Sequence, residues 1–127
     1  MEYVIIVDDE ISNTESMSEN IEFEDREVLT FNNPEDFIKH IKEEEFANCK
    51  LLIVDYSMPE LTGFQVYKQL FKTIKEKNNR YDVLYTGNLN QIKKSEIEFM
   101  KNNGVSFIEK PNIEKIMELA IEKVEEN

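Results

Sequence analysis

Asp8, Asp9, Asp55, Thr86 and Lys110 each sit at or just past the end of a short apolar run. Val4-Ile5-Ile6-Val7 leads into the acidic pair, Leu51-Leu52-Ile53-Val54 into Asp55, Val83-Leu84-Tyr85 into Thr86, and Phe107-Ile108 comes shortly before Lys110. If the chain brings the three carboxylates together, they repel one another, and a cation makes their proximity tolerable. Hard oxygen donors with no neighbouring His or Cys suit a small hard ion, and Mg²⁺ is the obvious cellular candidate. Phosphoryl transfer uses the same parts: a metal and an ammonium against the equatorial oxygens, and a carboxylate able to attack in line. Lys110 supplies a point charge on a long stem, and the Thr86 hydroxyl can donate to a phosphoryl oxygen.

This chemistry depends on elements that converge. Short apolar, β-branched runs alternate with stretches of helical periodicity, which argues for βα units around a mostly parallel sheet. Strands are expected at Tyr3–Val7, Glu27–Phe31, Leu51–Val54, Asp82–Tyr85 and Ser106–Ile108. The first and third are continuously apolar and read as central, covered on both faces. The fold class expected is α/β, a five-stranded, mostly parallel sheet with helices on both faces. If the strand order is 2-1-3-4-5, strands one and three are neighbours where the order reverses, and ligands bind beyond the carboxyl ends of strands at such a point.

The helices carry unequal signals. Asn33-Pro34 reads as an N-cap with proline in the first turn, followed by an inner face of Phe37, Ile38 and Ile41. Tyr67, Leu70, Phe71 and Ile74 form a stripe on the third helix. The fourth is expected to begin near Asn90 and stop at Asn103-Gly104. After Pro111, Ile113, Ile116, Met117, Ala120, Ile121 and Val124 repeat at helical spacing. Between Ile11 and Phe23 apolar residues are sparse and Ser and Asn common, so only the length of the segment argues for a first helix there.

The 127 residues suit one domain over 1–127. Fifteen Lys and Arg against 27 Asp and Glu give a net charge of -12, which repels nucleic acid and anionic lipid but can receive a basic patch on a protein. Cys49 is the only cysteine, which excludes an intramolecular disulfide and fits a reducing, cytoplasmic setting. No apolar run is long enough for a signal peptide or a membrane span. A Walker loop, a His-Glu-x-x-His motif and a dinucleotide fingerprint are all missing from the sequence. A Ser-His-Asp arrangement would have to use His40, inside an expected helix.

Taken in order, Asp8-Asp9-Glu10, Asp55 followed by Met58-Pro59 and Gly63, Thr86-Gly87, and Phe107 followed by Lys110-Pro111 resemble the receiver domain of bacterial two-component response regulators, the CheY-like family with a flavodoxin-like fold. The resemblance spans essentially the whole chain. It implies that Asp55 is the phosphoacceptor and that Asp9, Asp55 and the backbone carbonyl of Ser57 bind Mg²⁺, with Asp8 acting through a metal-bound water. It also implies that Lys110 contacts a phosphoryl oxygen, and that Thr86 and Phe107 switch, coupling the pocket to the face of helix four, strand five and helix five. The implied donor is a sensor histidine kinase or a histidine phosphotransfer protein, with small donors such as acetyl phosphate also used. Self-phosphorylation from a donor and weak autodephosphorylation are the implied activities. Ser57 and Asn88 fall where the family tunes phosphoryl lifetime. Tyr85 is bulkier than the aliphatic residue expected before the threonine and should crowd the threonine loop. Phe107 lacks the hydroxyl of the common tyrosine.

Plainer readings exist for each residue. Asp8, Asp9 and Asp55 could be turn carboxylates, Thr86 a β-favouring residue, Phe107 core, and Lys110 a tether before Pro111, where a restricted, cis peptide bond is expected. Their joint placement favours the site. Glu10 reads as a helix-start or solvent residue, His40 as a helix surface or boundary residue, Cys49 as inert, and Glu43-Glu44-Glu45 and Glu125-Glu126 as solvated faces. Rival functions are a receiver trimmed from a longer regulator with a DNA-binding output domain, a constitutive protein scaffold, and a phosphohydrolase with an aspartyl intermediate. The last commonly needs an Asp where Ser57 stands. Either a monomer or a phosphorylation-dependent homodimer fits the sequence.

Overall fold

A computed structural model describes every residue except Glu43, Lys75 and Asn78, and describes Glu44 and Glu45 through their backbone alone. The solvated-face expectation for Glu43-Glu44-Glu45 therefore lies outside the described side chains. The chain runs β1 (Tyr3–Val7), α1 (Ile11–Phe23), β2 (Glu27–Phe31), α2 (Pro34–His40), β3 (Cys49–Asp55), α3 (Gly63–Thr73), β4 (Tyr81–Thr86), α4 (Lys94–Asn102), β5 (Val105–Glu109) and α5 (Ile113–Lys123). Short 3-10 turns precede β3 and α4, at Glu44–Asn48 and Leu89–Gln91. All pairings are parallel, as the alternation of apolar runs predicts, and the sheet order is β2-β1-β3-β4-β5, which makes β1 and β3 neighbours.

Side-chain alternation along the central strands divides the core between the two faces. Ile5, Val7, Leu52, Val54 and Leu84 face a cluster that includes Phe37, Tyr67, Leu70 and Met100 from α2, α3 and α4. Val4, Ile6, Ile53, Val83 and Tyr85 face Met17, Ile21, Ile116 and Leu119 from α1 and α5. Every β1 residue is buried, which is why that strand reads as continuous rather than alternating. At the edge, β2 is largely exposed.

Local signals explain most boundaries. Asn33 Oδ1 accepts the Glu35 backbone N–H at 2.8 Å and Pro34 opens α2, a cap worth about 1 kcal/mol. Thr62 and Gln65 form a reciprocal capping box at the start of α3. Gly104 takes φ +79 just after α4, the left-handed stop expected of Asn103-Gly104.

Several boundaries differ from the sequence reading: β3, β4 and β5 each extend one or two residues beyond their expected ends, and Val124 lies past the end of α5 in extended conformation. α4 begins at Lys94 rather than near Asn90, because Asn88 caps a separate 3-10 turn and Ile92 is extended. Ile74 lies past the end of α3 in extended conformation, not on the helix. α1 does form. Only Thr14, Met17 and Ile21 of it are buried, while Ile11 and Phe23 are 58% and 88% exposed, so its inward face is narrow.

Candidate functional site

The carboxyl ends of β1, β3, β4 and β5 converge on one side of the sheet. β1 and β3 pair Val7 with Val54, so Asp8 and Asp55 each follow a fully buried residue on adjacent strands. Asp8 is held in place from both sides. Its N–H donates to Phe31 O at 3.0 Å, and its carbonyl accepts from Asn32 Nδ2 at 2.9 Å. The Glu10 N–H donates to Asp8 Oδ1 at 3.0 Å, so the acidic turn binds one of its own carboxylates. Asp55 ends β3, and the loop after it is closed by Gly63 N–H donating to Tyr56 O at 2.8 Å. A Cβ on Gly63 would lie 2.6 Å from Asp55 O, so a larger residue there would push the loop away.

Ligand atoms of Asp8, Asp9 and Asp55 all lie within 4.8 Å of one another. Lys110 meets them from β5, with Nζ 3.1 Å from Asp55 Oδ1 and 3.2 Å from Asp8 Oδ2, and its backbone N–H donates to Thr86 O at 2.8 Å. The Lys110–Pro111 peptide bond is cis. Asp8, Asp55 and Thr86 are buried, Asp9 and Lys110 half-buried. A cavity of about 300 Å³ opens beside Asp55, Thr86 and Lys110, lined also by Ser57 and Asn88 among others.

Among the described residues one ammonium faces the three carboxylates. Burial pushes the Asp55 carboxyl up from 3.8 to about 6; Lys110 opposes this, while Asp8 and Asp9 add to it. For Lys110, burial works to lower its pKa, but Asp55 and Asp8 outweigh it and the net direction is up. Three clustered carboxylates on rigid strand ends, with no His or Cys among them, fit a small hard cation such as Mg²⁺. Asp8, Asp9 and Asp55 would hold it.

The residues singled out from sequence fall into two groups. Asp8, Asp9, Asp55, Ser57, Thr86 and Lys110 come together at this pocket. Phe107 lies on β5, half-buried against the core on the α4 side, with Lys101 Nζ 5.9 Å from its ring centroid. Glu10 is exposed at the N-cap of α1 without a side-chain cap bond. His40 closes α2 beside Phe31, Phe46 and Tyr3. Cys49 is 1% exposed within β3, and burial pushes its thiol up to about 12, in keeping with an inert residue.

Tyr85 corrects an expectation. Its side chain lies in the α1 and α5 core and not over the threonine loop, because Val83 and Tyr85 share the face opposite Leu84.

Two polar residues at the pocket escaped sequence reasoning. Asn13 Nδ2 donates to Asp8 Oδ2 at 3.4 Å, and Gln91 Nε2 donates to Ser57 Oγ at 3.0 Å and Thr86 Oγ1 at 3.4 Å. The only available signal for Asn13 is its place one turn into the helix after the acidic pair. Gln91 has none, because it depends on the 3-10 turn.

No match was found among curated protein sequences. Among solved structures, a CheY-like receiver domain protein from Methanospirillum hungatei JF-1 superposes with a TM-score of 0.79 at 23% identity, covering 97% of this chain and 93% of that one. A receiver domain protein from Clostridium thermocellum gives 0.78 at 17% identity, over 97% and 94%. The Vibrio cholerae chemotaxis protein CheY4 gives 0.73 at 22%, over 97% and 98%. At such identities these likenesses show the fold. The family model of the response regulator receiver domain matches residues 4–121, and the chain belongs to that family.

Proposed function

We propose that this receiver domain accepts a phosphoryl group on Asp55 and changes its affinity for a protein partner in response. The observation that supports this most is the charge imbalance in an open pocket: three carboxylates against the single Lys110 ammonium within contact distance of two of them. A protein gains nothing in stability from such a cluster, but it suits an incoming dianion paired with a cation.

In the proposed reaction a carboxylate oxygen of Asp55 attacks phosphorus and forms an acyl phosphate. The phosphorus–nitrogen bond of a phosphohistidine donor breaks, and its electron pair stays on the imidazole. Lys110 exchanges its contact with Asp55 for one with a phosphoryl oxygen, and the Thr86 hydroxyl donates to another. Mg²⁺ held by Asp8, Asp9, Asp55 and the Ser57 carbonyl would neutralise charge on the phosphoryl oxygens. Water attack on the phosphorus later returns the carboxylate and releases inorganic phosphate. Ser57 is exposed and carries no acid or base that would make this hydrolysis fast, which favours a switch over a turnover phosphohydrolase.

The donor on this reading is a sensor histidine kinase or histidine phosphotransfer protein, and the responding face is α4, β5 and α5. Thr86 pairs with Glu109 in the sheet and Leu84 with Phe107, so a Thr86 movement is transmitted to the strand that carries Phe107. The switch is a shift between two packings, stabilised by new charge-assisted hydrogen bonds.

Backbone amide NMR with Mg²⁺ and beryllofluoride tests this. Large shifts at Thr86, Phe107 and along α4 and β5 are the expected result. A spectrum that does not respond to the mimic would refute the proposal.

A further inference from the structure

Tyr85 is the register neighbour of Asp55 on one side and of Ile108 on the other, and it is 6% exposed. Its side chain makes two contacts with the loop that leaves β5. The Lys110 ammonium stands 5.5 Å from the ring centroid, and the phenolic oxygen accepts the Asn112 backbone N–H at 3.0 Å. One contact touches the charged group itself, and the other fixes the backbone two residues further on.

Lysine reaches its targets on a flexible four-carbon stem, so its head must be confined from several sides if it is to stay at one oxygen. Asp8 and Asp55 confine Lys110 on one side at 3.2 and 3.1 Å. A second cavity, of about 260 Å³, borders Lys110 and is lined by Asn13, Met17, Tyr85, Pro111 and Ile113 among others. An ammonium that swung toward that cavity would leave the carboxylates. The Tyr85 ring stands beside it as an attractive wall, since a cation is drawn to an aromatic face. An aliphatic side chain would fill the same core space but offer neither the ring face nor the acceptor oxygen.

We propose that Tyr85 is a positioning residue for Lys110: its ring holds the ammonium toward Asp55, and its hydroxyl pins the loop that carries the lysine. The role rests on the reading of Asp55 as phosphoacceptor, and the test separates the two. Adduct formation from acetyl phosphate with Mg²⁺ is followed by intact-protein mass spectrometry in wild type, Tyr85→Phe and Tyr85→Leu. In parallel, the Lys110 ε-methylene proton shifts are read by NMR in the absence of donor, assigned with Lys110→Arg.

The ring should move the Lys110 protons upfield in wild type and Tyr85→Phe, and the displacement should vanish in Tyr85→Leu. Adduct formation should slow about threefold in Tyr85→Phe, which loses the pin, and about tenfold in Tyr85→Leu, which loses both contacts. A wild-type rate in either variant, or Lys110 protons that do not respond to loss of the ring, overturns the proposal. Tyr85→Phe preserves the core volume, so the rate test stands even if the leucine variant does not fold. If wild type neither forms an adduct nor binds beryllofluoride in the pocket, the phosphoacceptor reading falls, and the Lys110 shifts still decide whether Tyr85 holds the ammonium.

Discussion

The sheet carries a cluster of opposite charges at each end, and the two are built differently. Near the amino end of β4, Asp82 is fully buried and its two carboxylate oxygens accept from Nε and Nη2 of Arg80, with Lys77 Nζ 3.3 Å away. The Arg80 guanidinium also lies over the Phe46 ring at 5.2 Å. Among the described residues two cations serve one anion, and Arg80 and Asp82 are both buried. At the carboxyl end three anions share one cation under an open cavity. The first cluster is satisfied by the protein itself. The second leaves negative charge for a solute to balance, and this difference singles it out as the candidate site.

Breaking the sealed cluster should have the largest effect on stability. Asp82→Ala leaves Arg80 buried without its partner and should cost about 3–5 kcal/mol in urea denaturation. The fraction that stays folded should still take up a phosphoryl group at the wild-type rate. A loss of adduct formation at full folding would mean that the two clusters are not independent.

Breaking the open cluster should affect chemistry first. Lys110→Ala should slow adduct formation roughly a hundredfold, about 2.7 kcal/mol of transition-state stabilisation, because the phosphoryl oxygens lose their ammonium. Time-resolved mass spectrometry of the adduct measures this directly. A change of less than twofold would remove Lys110 from the mechanism.

The smallest effect sharpens the comparison. A folded Asp55 keeps its proton up to about pH 6, whereas the unfolded chain releases it near 3.8. Between those values the folded state binds more protons, so without divalent cations stability should fall as pH rises through this window. Asp55→Asn removes that slope and should stabilise the metal-free protein at neutral pH by roughly 1–2 kcal/mol, allowing for partial solvent access. Chemical denaturation in EDTA across pH 4–7 checks the sign. No such gain is expected from neutralising Asp82.

How much of this was readable from the sequence follows from which interactions are local. The strands of the core were legible, since β1 and β3 are buried on both faces and their residues leave no alternative. Asn33-Pro34 and Asn103-Gly104 were legible because caps are local chemistry. α1 was faint because only Thr14, Met17 and Ile21 of its length are buried. The start of α4 was misplaced because a side-chain cap at Asn88 stops a turn that periodicity would have continued.

The carboxylates and Lys110 could be identified because each lies at or just beyond the end of a strand. Asn13 and Gln91 could not, and Tyr85 stood out only for its bulk, since their roles depend on strand register and on a turn that propensity does not encode. The same holds for the opposite cluster. Nothing in Arg80-Tyr81-Asp82 tells a sealed ion pair from surface charge until the strand around it is known to be central.

Uptake of a phosphoryl group by Asp55 is what separates a switch from an acidic cluster without chemistry. Intact-protein mass spectrometry after incubation with acetyl phosphate and Mg²⁺ asks this directly, with Asp55→Asn and EDTA samples alongside. A single phosphoryl adduct on wild type, absent from both companions, is the result the open cluster predicts. An adduct that persists in Asp55→Asn, or a wild-type protein that neither forms one nor binds beryllofluoride in the pocket, would contradict it.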